Sequence, residues 1–288
     1  MIRQIKGIIS NNSLYQEYLG KKHGKYLSTT IKRLDVAAAQ MAHLFSLNKN
    51  LTVKNKICLE IGGGWIFSHA LVMHLLGAKK ILITDITLLA KPEYIKKAIH
   101  SSSISAIRDI LSPYEDHEIV RERLNNLTSI KKFDLQELEK LGIEYRVPVF
   151  WDSESLQLNF DFIFSNVVLE YFTENSLVKL FENLKNILNS SGDMLHTVHL
   201  EDHDSAHPFN YLKNDLDFYK KEKYKSHSNR IRFSTYDTIF SKSGFNYNYL
   251  YRWYRKDVDL PENIDKELNH KDENDLRTSH FCVHMKLE

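Results

Sequence analysis

The stretch Lys56-Ile57-Cys58-Leu59-Glu60-Ile61-Gly62-Gly63-Gly64-Trp65 decides how this chain is read. Its first six residues form a short apolar run of the kind found in a buried parallel strand. Three glycines follow, and then Phe67, Leu71, His74 and Leu75 recur at helical spacing up to Gly77. Glycines between a strand and a helix let the backbone turn sharply and pass close to a ligand. The helix N-terminus beyond them offers amide N–H groups to an anion. A plain tight turn would use the same glycines, so their place between strand and helix carries the weight. Glu60 is an odd charge at the end of a buried strand. Its carboxylate can accept amide hydrogens and hold the turn, or reach a ligand cation through water.

Working outward, Lys80-Ile81-Leu82-Ile83-Thr84-Asp85 reads as a second buried strand. Asp85 ends it ~20 residues after the glycines, where a carboxylate can accept hydrogen bonds from both ribose hydroxyls of a nucleotide-like ligand; a helix N-cap is the plainer role. Residues 87–142 are too long for a simple crossover and carry helical patterns, such as Ile104 to Leu111, so a helical insertion is expected. A third strand is expected over Glu144 to Phe150 and a fourth over Phe160 to Ser165. A helix then runs from Glu174 to Leu188, and a fifth strand from Met194 to Leu200. A polar stretch, 201–232, precedes a helix at 234–243, which Gly244 stops. Phe245 to Tyr254 and Ser279 to Leu287 are two more strands. Alternating strands and helices predict a doubly wound α/β fold with a mainly parallel, seven-stranded sheet, and the two terminal strands predict an antiparallel final pair.

Composition fits a soluble globular chain: 42% hydrophobic and 26% charged, with net charge +2. That balance provides no overall field for nucleic acid. Residues 1–50 are basic, with Arg3, Lys6, Lys21, Lys22, Lys25, Lys32, Arg33 and Lys49 against Glu17 and Asp35. They suit a solvated helical face, or an anionic substrate or peripheral membrane surface. No apolar run approaches the ~18–20 residues of a membrane helix, and no signal-peptide pattern opens the chain, so a cytoplasmic location is expected. Cys58 and Cys282 both fall in predicted strands and read as buried thiols. Residues 1–53 are expected to form a helical lid, with Tyr15 and Tyr18 near a ligand, and 54–288 the ligand-binding domain. Oligomeric state is not readable.

Leu59-Glu60-Ile61-Gly62-Gly63-Gly64 resembles motif I of the class I S-adenosylmethionine-dependent methyltransferases, with Ile66 where a third glycine often stands. Phe160 to Tyr171 is similar to their motif IV, with Tyr171 in place of a histidine, and Leu184 to Leu188 with Ser191-Gly192 resembles the helix and turn before their fifth strand. The resemblance covers about 54 to 255. A narrower one, carried by Gly77-Ala78, His199 to His203 and Asn229 to Arg232, is to methyltransferases encoded with bacterial surface-polysaccharide genes. It implies a sheet of seven strands with an antiparallel last strand, and S-adenosylmethionine as cofactor. It also implies an in-line methyl transfer to a small-molecule or glycan acceptor.

On that reading Glu60, Gly62, Gly63, Gly64 and Asp85 hold the cofactor. Asp152 receives the adenine amine beside Trp151, and Asn166 lies near the methyl group. A sugar hydroxyl is a weak nucleophile, so a base helps, and histidine suits neutral pH. The densest candidates follow the fifth strand: His199, Glu201, Asp202, His203, Asp204 and His207. The expectation is that His199 or His203 takes the proton, with Asp202 orienting it and Glu170 orienting the acceptor. The same residues have the types of a Mg2+ site, although no metal is assigned. Asn229, Arg230 and Arg232 are expected to bind an anionic part of the substrate. A small natural product is the alternative acceptor. An NAD(P)-dependent oxidoreductase is the alternative enzyme; the Tyr-x-x-x-Lys spacing at Tyr219 to Lys223 falls in a polar insert after the fifth strand and is read as chance. A nucleic-acid methyltransferase is disfavoured by Ser165-Asn166-Val167-Val168, which lacks the motif for a flipped base.

Overall fold

A computed structural model describes residues 33–131, 134–151, 156–203, 205–215, 230–268 and 270–288. Seven strands form one sheet in the order β3-β2-β1-β4-β5-β7-β6. β4 (Phe160–Asn166) stands at its centre. The chain divides into two compact units, residues 1–150 with 160–163, and residues 151–159 with 164–288.

In the first unit β1 (Ile57–Ile61), β2 (Lys80–Thr84) and β3 (Ile143–Arg146) run parallel. The expected third strand stops at Arg146 instead of Phe150. Pro148 has no N–H to extend a ladder, although Val149 still donates to the Asp85 carbonyl at 2.9 Å. α1 (Arg33–Leu47) packs on α2 (Ser68–Leu75), which follows the glycines. Residues 87–142 form α3 (Pro92–His100), α4 (Ile104–Leu111), α5 (His117–Thr128) and α6 (Leu135–Lys140). Local chemistry sets their starts. Pro92 occupies the first turn of α3, and Ser103, Asp116 and Asp134 each cap a helix by accepting amide hydrogens. Val120, Leu124 and Leu127 of α5 recur on one buried face.

In the second unit α7 (Glu174–Ile187) leads into β5 (Leu188–His199), and α8 (Phe233–Lys242) into β6 (Phe245–Tyr254). α9 (Glu273–Arg277) leads into β7 (Thr278–Leu287). β7 is antiparallel to both β5 and β6, the final pairing expected. Rings of Phe181, Tyr236, Phe240 and Phe281 meet edge to face or tilted in its core. β5 starts six residues before the expected Met194. Its polar opening is held by tertiary contacts, since buried Asp193 accepts from His284 Nε2 at 2.8 Å and pairs with Lys286 at 3.2 Å. Cys58 on β1 and Cys282 on β7 are buried free thiols, and burial pushes both thiol pKa values up.

β6 carries a β-bulge. Phe245 to Tyr249 pair in order with Leu287 to Val283, but the next paired residue is Tyr251, opposite Cys282. Leu250 is the extra residue. The one-residue slip moves Tyr251, Arg252 and Trp253 to the other face, and a second irregularity between Trp253 and Tyr254 returns Tyr254, opposite Thr278, to the earlier register. Tyr251 and Trp253 thereby come opposite Cys282 and His280, and Arg252 comes opposite Phe281, with its guanidinium 3.6 Å from the centre of the Phe233 ring.

Candidate active site

The glycine turn is built by carbonyls of β2. The Thr84 carbonyl accepts from Gly62 N at 2.8 Å and Gly63 N at 3.2 Å, while Thr84 Oγ1 donates to the Glu60 carbonyl at 3.1 Å. Asp85 completes it. One carboxylate oxygen accepts from Gly64 N at 3.0 Å and the other from Thr87 N at 3.1 Å. Asp85 caps no helix, since α3 starts only at Pro92. The Ile86 amide also reaches this carboxyl, and of a carboxylate's about four acceptor positions at least one is left for a donor from outside.

The three glycines divide their work. A Cβ on Gly63 would collide with Ile83 Cγ2 and crowd Phe67, so this glycine serves packing against β2. Gly64 differs. It has φ +61°, and a Cβ there would meet nothing within 4 Å. Gly62 also has positive φ. Phe67 caps α2 in a left-handed conformation without a side-chain cap bond, leaving the role of its N-terminus to backbone amides. Glu60 lies buried below. The Ala70 amide reaches its carboxyl, yet Oε2 has no hydrogen-bond partner, and burial raises its pKa to about 8. A buried carboxyl oxygen without a partner and an open space over Gly64 are the two features that a cationic, nucleotide-like ligand would fill.

In the second unit β4 ends in a strained turn, with the β-branched Val167 at φ +57°. Val167 N donates to the Thr197 carbonyl at 3.1 Å, and Thr197 Oγ1 donates to Asn166 Oδ1 at 2.7 Å. A single 3-10 turn, Leu169–Tyr171, then buries Glu170 completely. The amides of Glu170 itself and of His199 approach its carboxyl without forming well-shaped hydrogen bonds, and burial raises its pKa well above the carboxylate range. Neither Asn166 nor Glu170 caps α7; Thr173 does, accepting from Ser176 N.

Three histidines gather beyond this turn. His199 pairs with His280 across β5 and β7, with ring centres 5.7 Å apart, and lies 5.1 Å from His203. His203 Nδ1 shares a 2.6 Å hydrogen bond with the Tyr171 hydroxyl, and His280 Nδ1 a 2.8 Å one with Tyr251. Burial lowers the pKa of His199, helped by His203, and that of His280 to about 4, helped by His199. Both are neutral at pH 7. His280 and Tyr251 were not singled out from the sequence, where Tyr171 entered only as the residue in place of the motif IV histidine. His280 could have been found from the alternation of the last strand only if its register with His199 were known.

Other members of the acceptor-side set have structural partners. Glu201 pairs with Arg255 at 3.0 Å. His207 accepts from Phe209 N at 3.1 Å and lies 3.0 Å from the Asp259 carbonyl. Asp202 N donates to the Pro208 carbonyl, and Asp202 makes further interactions. The expected anion-binding arginines face inward. Arg230 pairs with Asp265 at 2.9 Å and with Glu267, and donates to the Asn214 carbonyl. Arg232 has no exposed surface. It donates to the carbonyls of Leu200, Asp275, Leu276 and Thr278 and to the Tyr211 hydroxyl. It thus satisfies the end of α9 and pins the end of β5 that carries His199. Arg232→Met is expected to cost ~3 kcal/mol or more of stability, because buried acceptors lose their donor. Thermal unfolding checks this, and an unchanged melting temperature would return Arg232 to the substrate.

Asp152, Asp204, Asn229, the Tyr219 to Lys223 spacing and residues 1–32 of the expected N-terminal lid, with Tyr15 and Tyr18, lie outside the described residues; of that lid, α1 and the residues up to 53 are described. Among the described residues no three of His, Cys, Asp and Glu converge to hold a metal ion, so the Mg2+ option has no support there. Among them too, no helix is long and apolar enough to cross a membrane.

No protein-family model matches the chain, and no curated protein matches it. Solved structures similar to it include an S-adenosylmethionine-dependent methyltransferase from Clostridium acetobutylicum, at 9% identity and TM-score 0.47, covering 96% of this chain and 99% of that one. A TehB-like S-adenosylmethionine-dependent methyltransferase from Corynebacterium glutamicum has 10% identity and TM-score 0.47, covering 96% and 100%. A pyocyanin biosynthetic protein has 11% identity and TM-score 0.42, covering 86% of this chain; the chain spans about half of that protein, 55%.

Proposed function

We propose that this protein is an S-adenosylmethionine-dependent methyltransferase that O-methylates a small-molecule acceptor, with a sugar or glycan of a surface polysaccharide as the favoured class. The observation that carries the reading is the open cradle over Gly64, flanked by Asp85 and by the unpartnered buried oxygen of Glu60. Asp85 accepts from the ribose, and Glu60 faces the ammonium. Gly62 and Gly63 shape the turn, and Asp152 and Asn166 remain candidates for the adenine and methyl ends. When bound, S-adenosylmethionine supplies an electrophilic methyl carbon on a sulfonium.

The rest falls to the chain. His199, neutral at pH 7, takes the proton of the acceptor hydroxyl. His203, fixed by Tyr171, is the second candidate for that step, and Asp202 the candidate to orient it. Glu170, held protonated by burial, supports the His199 backbone from below. Arg230 and Arg232 hold the second unit together, and Asn229 is the remaining substrate candidate of its segment. The reduced, buried thiols suit a cytoplasmic enzyme.

Calorimetry tests this reading. S-adenosylmethionine is expected to bind and NADH not to. With its pKa at about 8, Glu60 is mostly protonated at pH 7. An ammonium beside it lowers that pKa, so binding releases a proton, seen as a heat that depends on the buffer's ionisation enthalpy. Glu60→Gln should stay folded and lose the release. Binding of NADH alone would overturn the proposal.

A further inference from the structure

We infer that the face of β5, β7 and β6 beyond the bulge is an acceptor site for an uncharged, ring-shaped alcohol, in which Trp253 is the shelf and His280 positions the ring. The inference rests on the methyltransferase reading and names its acceptor class. Paired residues of neighbouring strands share a face. The pairs His199–His280 and His280–Trp253 therefore place two histidines and one indole side by side. Their rings are in contact distance: Trp253 lies 5.8 Å from His280 and 5.1 Å from Tyr251, and Tyr251 stacks on His280 at 5.5 Å with planes 11° apart.

Trp253 is 56% exposed, the highest figure among the large hydrophobic residues described. A half-buried indole at the end of a strand, beside two neutral imidazoles, presents a flat apolar surface next to a proton acceptor. The bulge at Leu250 is what creates this. In unbroken register, Leu250 and Arg252 would stand opposite Cys282 and His280, and a guanidinium would occupy the place of the indole. The extra residue removes that cation to the Phe233 side, where Thr278 Oγ1 also accepts from it.

Charge points the same way. Arg230, Arg232, Arg255 and Arg277 all donate to carboxylates or carbonyls within the unit. His199 and His280, both neutral, add no cation beside the indole for a phosphate or a sugar acid. What they provide is stacking and hydrogen bonding, which suits a hydroxyl on a pyranose or a carbocyclic ring lying flat on the indole.

The test uses the full chain with S-adenosylhomocysteine and three probes: methyl β-D-glucopyranoside, catechol and glucose 6-phosphate. Saturation-transfer NMR reads ring protons in contact with the protein, and calorimetry with S-adenosylmethionine is run on each variant. At least one neutral probe is expected to show transfer, with the two arms separating a sugar from an aromatic ring. Trp253→Ala should weaken its binding about tenfold and Trp253→Phe should largely restore it, as expected for an exposed stacking contact. His280→Ala should shift which ring protons receive saturation. Cofactor binding should be unchanged throughout. If wild type binds S-adenosylmethionine, the site inference fails when neither neutral probe shows transfer, when Trp253→Ala binds as well as wild type, or when glucose 6-phosphate binds best. If S-adenosylmethionine does not bind wild type, the underlying reading fails instead.

Discussion

Asp85→Ala is expected to weaken S-adenosylmethionine binding by about a hundredfold or more. Two charge-assisted bonds to ribose hydroxyls are worth roughly 1.5–3 kcal/mol each, and both are lost together. The substitution also releases Gly64 N and Thr87 N, so the turn loosens as the ligand contacts vanish. Asp85→Asn separates the effects. It keeps one acceptor oxygen and so one of the two amide bonds of the turn, while giving up the charge and the second acceptor, and should fall between wild type and alanine. Calorimetry gives the affinities, and circular dichroism verifies that the sheet persists. An affinity for Asp85→Ala within threefold of wild type would place the donor site elsewhere.

The second large effect concerns the proton. His199→Ala is expected to lower turnover by about 10²–10⁴, the usual range for a lost general base, with cofactor affinity unchanged. The pH profile adds a sign. A base works unprotonated, so activity is lost as pH falls through the imidazole pKa. Burial and the neighbouring His203 hold that pKa below the ordinary histidine value. The acid limb of wild type should therefore lie below the usual histidine range, with a plateau through neutral pH, and His199→Ala should flatten that limb. Full turnover in both His199→Ala and His203→Ala would leave no histidine base in this loop.

Much of this fold was legible in the sequence, because buried parallel strands announce themselves as apolar runs. β1, β2 and β4 fall where such runs predict them, β6 keeps its expected bounds as a half-buried antiparallel strand, and the antiparallel last pair follows from two strands with little helix between them. Misreadings arose where distant contacts decide. Asn189 to Asp193 looks like a turn, yet it is extended, with Asp193 held by His284 and Lys286. The donor-side residues were legible for the same reason as the strands, since Glu60, the glycines and Asp85 are consecutive with them. The acceptor side was less so. Arg230-Ile231-Arg232 invites a surface reading, but it turns both arginines inward and leaves Ile231 partly exposed, because carbonyls and carboxylates distant in the sequence, such as Asp265 and Leu276, accept from the guanidinium groups. His280 belongs to the histidine set through strand register, which no local pattern contains. The offset at Leu250 is likewise invisible without the partner strand.

The two amides held by Asp85 have a thermodynamic side. Ordering a loop around a ligand ordinarily costs entropy at the moment of binding. Here the carboxylate has already fixed the amides of Gly64 and Thr87, and the Thr84 carbonyl those of Gly62 and Gly63. That ordering is settled when the chain folds. The turn therefore meets its ligand as a finished template, and affinity drawn from it is not spent on organising the loop.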